Sequence, residues 1–287
     1  MSQVESIVVI GAGTMGSGIA YAAAASGISA TVVDVSEKAL ERARGYHGKT
    51  AGRSVEKGRL LEADATSLLG RIAYEGDLAK ACTGRGFVIE AASERVDLKK
   101  SLFEAMVASA AGDAVLATNT SSISITEIAT AAGDAADRVI GMHFFNPVPV
   151  MKLVEVIKGL ATSEATVERT IALAKAMGKT PIPANDRAGF VSNRVLMPLI
   201  NEAFLAWMEG VAKPEDIDEI MKLGCNFPMG PLRLADFIGL DVCHDIMMVL
   251  HRELGDPKFF PCPLLRQLVT AGRLGDKTGH GVYEHTR

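Results

Sequence analysis

The sequence predicts an α/β chain: a doubly wound, mostly parallel sheet in residues 1–184, followed by an all-helical domain in residues 185–287. Three observations carry this expectation. Short apolar runs alternate with longer helical patterns from Ile7 to Ala184, as strand–helix–strand units of a parallel sheet do. A glycine cluster, Gly11-Ala12-Gly13-Thr14-Met15-Gly16, stands between the first apolar run and the first helical pattern. From Ala188 onward the strand signals vanish and apolar residues recur at helical spacing.

Taken in order, the apolar runs place strands at Ile7–Ile10, Ala30–Val33, Arg71–Tyr74, Phe87–Glu90, Val115–Thr118, Val139–His143, Leu153–Ile157 and Thr180–Ala184. Helical patterns fill most of the gaps, at Thr14–Ser26, Ser36–Val55, Asp97–Ala108, Ser124–Ala131 and Ser163–Met177. The connection from Val150 to Leu153 is too short for a crossover helix, so the last strands are expected to turn antiparallel. In "GFVSNRVLMPLINEAFLAWMEG", Phe190, Val191, Val195, Leu199, Phe204 and Leu205 fall at helical spacings, and two or three further helices are expected after it. These helices are strongly apolar for a small domain, which predicts a homodimer.

Composition narrows the function. At 287 residues, 48% hydrophobic and 22% charged, the chain can bury a sizeable core in one large or two ordinary domains. A net charge of −4 argues against a nucleic-acid or anionic-membrane partner. Cys82, Cys225, Cys243 and Cys262 are widely spaced and form no CxxC pair, so buried or inert thiols are expected, with no disulfide framework and no metal site. The N-terminus lacks the basic and apolar regions of a secretory signal, and the apolar region Ile19–Val33 is interrupted by Ser26, Gly27 and Ser29. A cytoplasmic protein, or a matured organellar one, is expected.

A lone GxGxxG is a weak signal. Here it follows a strand and opens a helix, the context of a Rossmann-type dinucleotide site. Gly11 permits the tight turn, Gly13 lets a pyrophosphate approach the backbone, and Gly16 lets the helix pack close to the sheet. Asp34 ends the second strand, where a carboxylate accepts hydrogen bonds from ribose hydroxyls and repels a 2′-phosphate. Val35 and Ser36 offer no arginine to receive one, which favours NAD over NADP.

From Lys38 to Arg59 the chain turns basic, and Lys49, Arg53 and Lys57 share one helix face. A solvated face and a phosphate-binding rim for a bulky anionic substrate both account for that pattern.

His143 and Glu155 stand out in "HFFNPVPVMKLVEVI". A buried polar group without a partner costs roughly 2–7 kcal/mol on small-molecule scales, and an ionised carboxylate costs more. An imidazole on the neighbouring strand is a natural partner. Such a pair suits a base that takes a hydroxyl proton while hydride leaves the same carbon, which with a dinucleotide site on the same sheet implies alcohol–ketone interconversion. Ser121 and Asn119, in "TNTSS", fall at the C-terminal edge of the sheet, where such folds bind ligands. Asn146 in its turn and Asn193 in its helix start also admit plain turn or capping roles.

"GAGTMGSGIA", "TNTSS", "HFFNPVPVMKLVEVI", "GFVSNRVL", "FPMGPLRLADFIGLD" and "DKTGHGVYEH" occur in this order along essentially the whole chain. In these segments the sequence resembles the 3-hydroxyacyl-CoA dehydrogenase family, and its short single-function members such as bacterial 3-hydroxybutyryl-CoA dehydrogenases. The resemblance implies NAD-dependent oxidation of an (S)-3-hydroxyacyl-CoA, with an acyl-CoA substrate. It implies His143 as catalytic base, Glu155 as its partner, and Ser121 and Asn193 near the substrate's oxygens. It implies Gly11, Gly13, Thr14, Met15, Gly16, Asp34, Glu94, Lys99, Asn146 and Lys277 as cofactor contacts, and Thr50, Lys57 and Ser121 as contacts to coenzyme A. That tips the basic face toward phosphate binding. The sequence departs from the family in Ser93-Glu94-Arg95, which stands where Val-Glu-Asn is usual, and in one extra residue in Ala131–Asp137. The rival readings are a gulonate-type sugar-acid dehydrogenase and a non-catalytic NAD-binding sensor.

Overall fold

The structure is a computed structural model that describes residues 4–285. The chain divides between Asp186 and Arg187 into two compact units. In the first, β1 (Ser6–Ile10), α1 (Thr14–Ala25), β2 (Ser29–Val33), α2 (Glu37–Glu56), α3 (Glu62–Gly70), β3 (Ile72–Glu75) and α4 (Leu78–Cys82) lead to β4 (Phe87–Glu90). There follow α5 (Val96–Ser109), β5 (Val115–Thr118), α6 (Ile125–Ala129), β6 (Val139–Phe144), β7 (Leu153–Lys158), α7 (Glu164–Ala176) and β8 (Thr180–Asn185).

The eight strands form one sheet in the order β3-β2-β1-β4-β5-β6-β7-β8. All neighbours are parallel except β6 and β7, which the short connection forces antiparallel; α7 then returns the chain so that β8 lies parallel to β7. The strand order reverses direction at β1 and β4, the switch point where open α/β sheets take ligands. Every residue of β4 and β5 is buried, which is why both read as unbroken apolar runs.

Two helices escape the apolar pattern. α3 buries only Ala65 and Leu68, too few to leave a stripe. α4 is a five-residue turn whose N-cap, Asp77, accepts from the Lys80 amide at 3.1 Å. The helix expected over Ser124–Ala131 stops at Ala129 and continues as a 3-10 segment, Thr130–Arg138, broken by Gly133 at φ 54°.

The second unit holds α8 (Ser192–Met208), α9 (Pro214–Cys225), α10 (Pro231–Ile238), α11 (Leu240–Leu254) and α12 (Pro263–Thr270). Four helices therefore follow α8, more than expected. The extra one arises at Gly239, whose φ of 107° separates α10 from α11 with no intervening loop. Proline opens α9, α10 and α12, where its missing N–H costs nothing. Phe204, Leu232, Leu240, Leu250 and Leu265 form the core. Asp236 ties down the C-terminal segment by accepting from the Val282 and Tyr283 amides at 2.8 and 2.9 Å. Among the described residues, no helix is long and apolar enough to cross a membrane.

Candidate active site

A crevice of about 550 Å³ opens at the C-terminal ends of β1, β2 and β4. Its walls are Gly11–Met15, Val33–Val35, Ala91–Ser93 and apolar side chains of α4 and α5. Backbone geometry makes the turn. Gly11 sits at φ 105°, and a Cβ there would lie 2.6 Å from the Ala91 carbonyl oxygen. A Cβ on Gly16 would lie 1.8 Å from the Gly11 oxygen, whereas above Gly13 the space is open. The N-cap of α1 is Gly13, so no side chain competes for the amides of its first turn. Asp34 locks the turn to the second strand: Oδ2 accepts from the Ala12 amide and Oδ1 from the Ser36 amide, both at 2.9 Å. An open glycine, helix amides without a side-chain cap and a fixed carboxylate at the far end are what a pyrophosphate and a ribose diol require, so these residues fit a dinucleotide.

Beneath the crevice lies a dry ion pair. Lys99 is 1% exposed, and its Nζ donates to both oxygens of the fully buried Glu90 at 2.7 and 2.8 Å. Thr118 donates to the same carboxylate at 2.6 Å. Lys99 was expected as a cofactor contact; its ammonium instead faces Glu90 inside the protein and stands 3.4 Å from Glu94. Its influence on the crevice therefore passes through Glu94. Glu94 Oε1 accepts from the Thr120 hydroxyl at 2.6 Å and from the Ser121 and Ser122 amides at 2.9 and 3.1 Å. Burial pushes the Glu94 carboxyl up, but Lys99 and these donors outweigh it and hold the group below the usual glutamate range. Ser121 thus rests on a loop shaped by a carboxylate at the crevice.

His143 and Glu155 meet because β6 and β7 pair antiparallel with these two residues in register. Nδ1 of His143 lies 2.8 Å from Glu155 Oε2, with the residues 7% and 3% exposed. The carboxylate accepts a hydrogen bond from Nδ1–H, and in that tautomer the imidazole lone pair lies on Nε2. The ring also packs against Phe145, with centroids 4.7 Å apart. Asn119 joins the strand ends: its amide donates to the Glu90 carbonyl at 2.7 Å, and its Oδ1 accepts from the Phe144 amide at 2.9 Å. The dinucleotide turn and the histidine therefore stand along one edge of one sheet.

The other expected residues lie as follows. Asn146 is exposed on the loop after β6 and precedes Pro147 through a cis peptide bond. Lys57 is exposed at the C-cap of α2, and the Thr50 hydroxyl donates to the Tyr46 carbonyl at 2.8 Å within that helix. Asn193 is buried in the first turn of α8. Lys277 Nζ contacts both oxygens of Asp241 at 2.5 Å.

Two features were not foreseen. Glu90 ends an apolar strand much as Glu155 interrupts one, a signal that was available. Lys179 donates from its Nζ to the Val148 and Met151 carbonyls, and so pins the loop that follows His143; nothing in its neighbourhood in the sequence points to this. Of the thiols, burial pushes Cys82 up to about 11 and Cys243 up to about 12, while Cys225, expected to be buried or inert, is exposed.

Comparison with known proteins gives the family. The family model of the 3-hydroxyacyl-CoA dehydrogenase NAD binding domain matches residues 6–187, and that of the C-terminal domain matches residues 189–285. The chain is 53% identical to a probable 3-hydroxybutyryl-CoA dehydrogenase of Bacillus subtilis, over 99% of this chain and 98% of that one. It is 52% identical to a probable 3-hydroxybutyryl-CoA dehydrogenase of Deinococcus radiodurans, over 96% and 99% of the two chains. The crystal structure of (S)-3-hydroxybutyryl-CoA dehydrogenase from Ralstonia eutropha superposes with a TM-score of 0.95 at 47% identity, covering 99% of this chain and all of that one. The chain belongs to the 3-hydroxyacyl-CoA dehydrogenase family of NAD-dependent oxidoreductases.

Proposed function

We propose that this chain catalyses the reversible oxidation of a short-chain (S)-3-hydroxyacyl-CoA, such as 3-hydroxybutyryl-CoA, to the 3-ketoacyl-CoA, with His143 as the base. The observation that carries the reading is the buried His143–Glu155 pair, in register and 2.8 Å apart, on the sheet that builds the dinucleotide crevice. Bound NAD supplies the hydride acceptor, and NADH the donor in the reverse direction. His143 Nε2 takes the substrate hydroxyl proton, or returns it to the 3-keto oxygen. Glu155 holds the imidazole tautomer and balances the charge that arises when the ring is protonated.

Ser121 and Asn193 position the substrate oxygen and thioester carbonyl. Gly11, Gly13, Thr14, Met15, Gly16 and Asp34 hold the adenosine and pyrophosphate. Glu94, Asn146 and Lys277 serve the nicotinamide or phosphate side of the cofactor. The exposed Lys57, with Thr50 about two turns earlier, meets the phosphates of coenzyme A. On this reading residues 1–184 bind the dinucleotide, and residues 185–287 serve dimerisation and the substrate. A homodimer in the cytoplasm belongs to the same reading, supported by exposed apolar residues of the helical unit such as Leu223, Val211 and Val195 and by the free cysteines. NADH oxidation with acetoacetyl-CoA, set against NAD reduction with gulonate, tests it. Turnover is expected only with the thioester, and should fall as the acyl chain of a 3-ketoacyl-CoA series lengthens; turnover with gulonate alone would overturn it.

A further inference from the structure

The ribose end of the crevice carries a cation as well as an anion. α2 begins at Glu37, directly after Asp34, Val35 and the N-cap Ser36. Its first turns bring Ala39 and Arg42, three residues apart and so on one face, onto the crevice wall beside Asp34 and Val35. Lys38 and Arg44 do not line it, and the Arg44 guanidinium lies over the Tyr74 ring at 4.4 Å. The Arg42 side chain is exposed and has no hydrogen bond, ion pair or ring contact among the described residues. Asp34, by contrast, is held in place by two amides.

We propose that Arg42 is a second determinant of coenzyme choice, a guanidinium placed to receive a phosphate on the adenosine ribose and masked by Asp34. A carboxylate at this position accepts from ribose hydroxyls and repels a 2′-phosphate, whereas an arginine nearby accommodates one. Both residues line the crevice here. Selectivity against the 2′-phosphate then rests on one carboxylate, and the receptor for that phosphate is already built. The absence of arginine at residues 35 and 36 is offset by helix geometry, which returns residue 42 to the wall of the same crevice.

The test is equilibrium binding of NADH and NADPH to the full chain, followed by nicotinamide fluorescence without substrate. Asp34→Asn is expected to raise the NADPH-to-NADH affinity ratio by about tenfold or more, the scale of one charge-assisted phosphate contact. Adding Arg42→Gln is expected to remove most of that gain. A ratio that rises equally with or without Arg42 overturns the proposal. So does a loss that Arg42→Gln inflicts equally on both coenzymes, because it places the guanidinium at the adenine or pyrophosphate. Should Asp34→Asn fail to fold, Arg42→Gln alone decides: the ratio of the unmodified chain is expected to fall by about threefold or more at low salt, and an unchanged ratio overturns the proposal. No NADH binding to the unmodified chain would overturn the dinucleotide reading and this proposal with it.

Discussion

The dinucleotide crevice and the His143–Glu155 pair lie on one sheet and are built from different materials. The crevice is made by backbone: Gly11 at positive φ, Gly16 pressed on the Gly11 carbonyl, and Asp34 holding two amides. The pair is made by side chains that strand register brings together from twelve residues apart in the sequence. A backbone-built site tolerates almost no added atom but is indifferent to many side chains. A side-chain-built site keeps its shape under an isosteric change and loses its chemistry. The two regions should therefore fail in different ways.

The largest effect on the fold is expected under the crevice. Lys99→Met leaves the Glu90 carboxylate buried without its cation, and removing one partner of such a pair costs about 3–5 kcal/mol. Urea unfolding should show that loss together with weaker NADH binding, because Glu94 loses its nearest cation. A change below about 1 kcal/mol would show that the pair does not hold the region together.

Glu155→Gln separates chemistry from fold. It keeps shape and a hydrogen-bonding oxygen but removes the charge. A fall in kcat of about 10²-fold is expected, with the melting temperature and NADH affinity little changed. An equal loss of affinity and turnover would mean that Glu155 supports the sheet and not the base.

Gly16→Ala acts in the opposite sense. Its Cβ would meet the Gly11 carbonyl at 1.8 Å, so the turn must open, at about 1–3 kcal/mol. NADH affinity should fall by about tenfold or more, while turnover at saturating NADH suffers less. Unchanged affinity would contradict a turn set by close packing.

The smallest effect concerns His47, which ties α2 to α1 by Nε2 at 2.8 Å from the Ser17 carbonyl and to β3 by Nδ1 at 2.7 Å from the Tyr74 hydroxyl. Burial lowers its pKa below the ordinary histidine value of about 6.5. The unfolded chain then binds a proton that the folded chain refuses, so stability is full above that value and falls as pH drops from it toward the depressed folded pKa. His47→Gln should flatten the decline in melting temperature as pH falls below about 6.5. An identical slope in the variant would remove His47 from this role.

Much of this was legible in the sequence, for physical reasons. Strands β4 and β5 are buried on both faces and so read as apolar runs. Asp34 is legible because the fingerprint fixes its distance from Gly16. His143 and Glu155 are legible as anomalies, polar groups whose burial would be costly without each other, though their separation awaited the register of β6 and β7. α3 was hidden by its thin apolar stripe, and the break between α10 and α11 by resting on one glycine. The partnership of Glu90 with Lys99 joins a strand end to a helix whose angle no local pattern encodes. The same reason hid Arg42: only the direction of α2 brings it back beside Asp34.

On this reading His143 is the base, and the crevice works without it. Single-turnover reduction of acetoacetyl-CoA by NADH bound to His143→Gln tests both halves at once. Hydride transfer should slow by about 10²–10⁴-fold, with the dissociation constant for NADH close to that of the unmodified chain. A transfer rate near that of the unmodified chain would rule His143 out as the base.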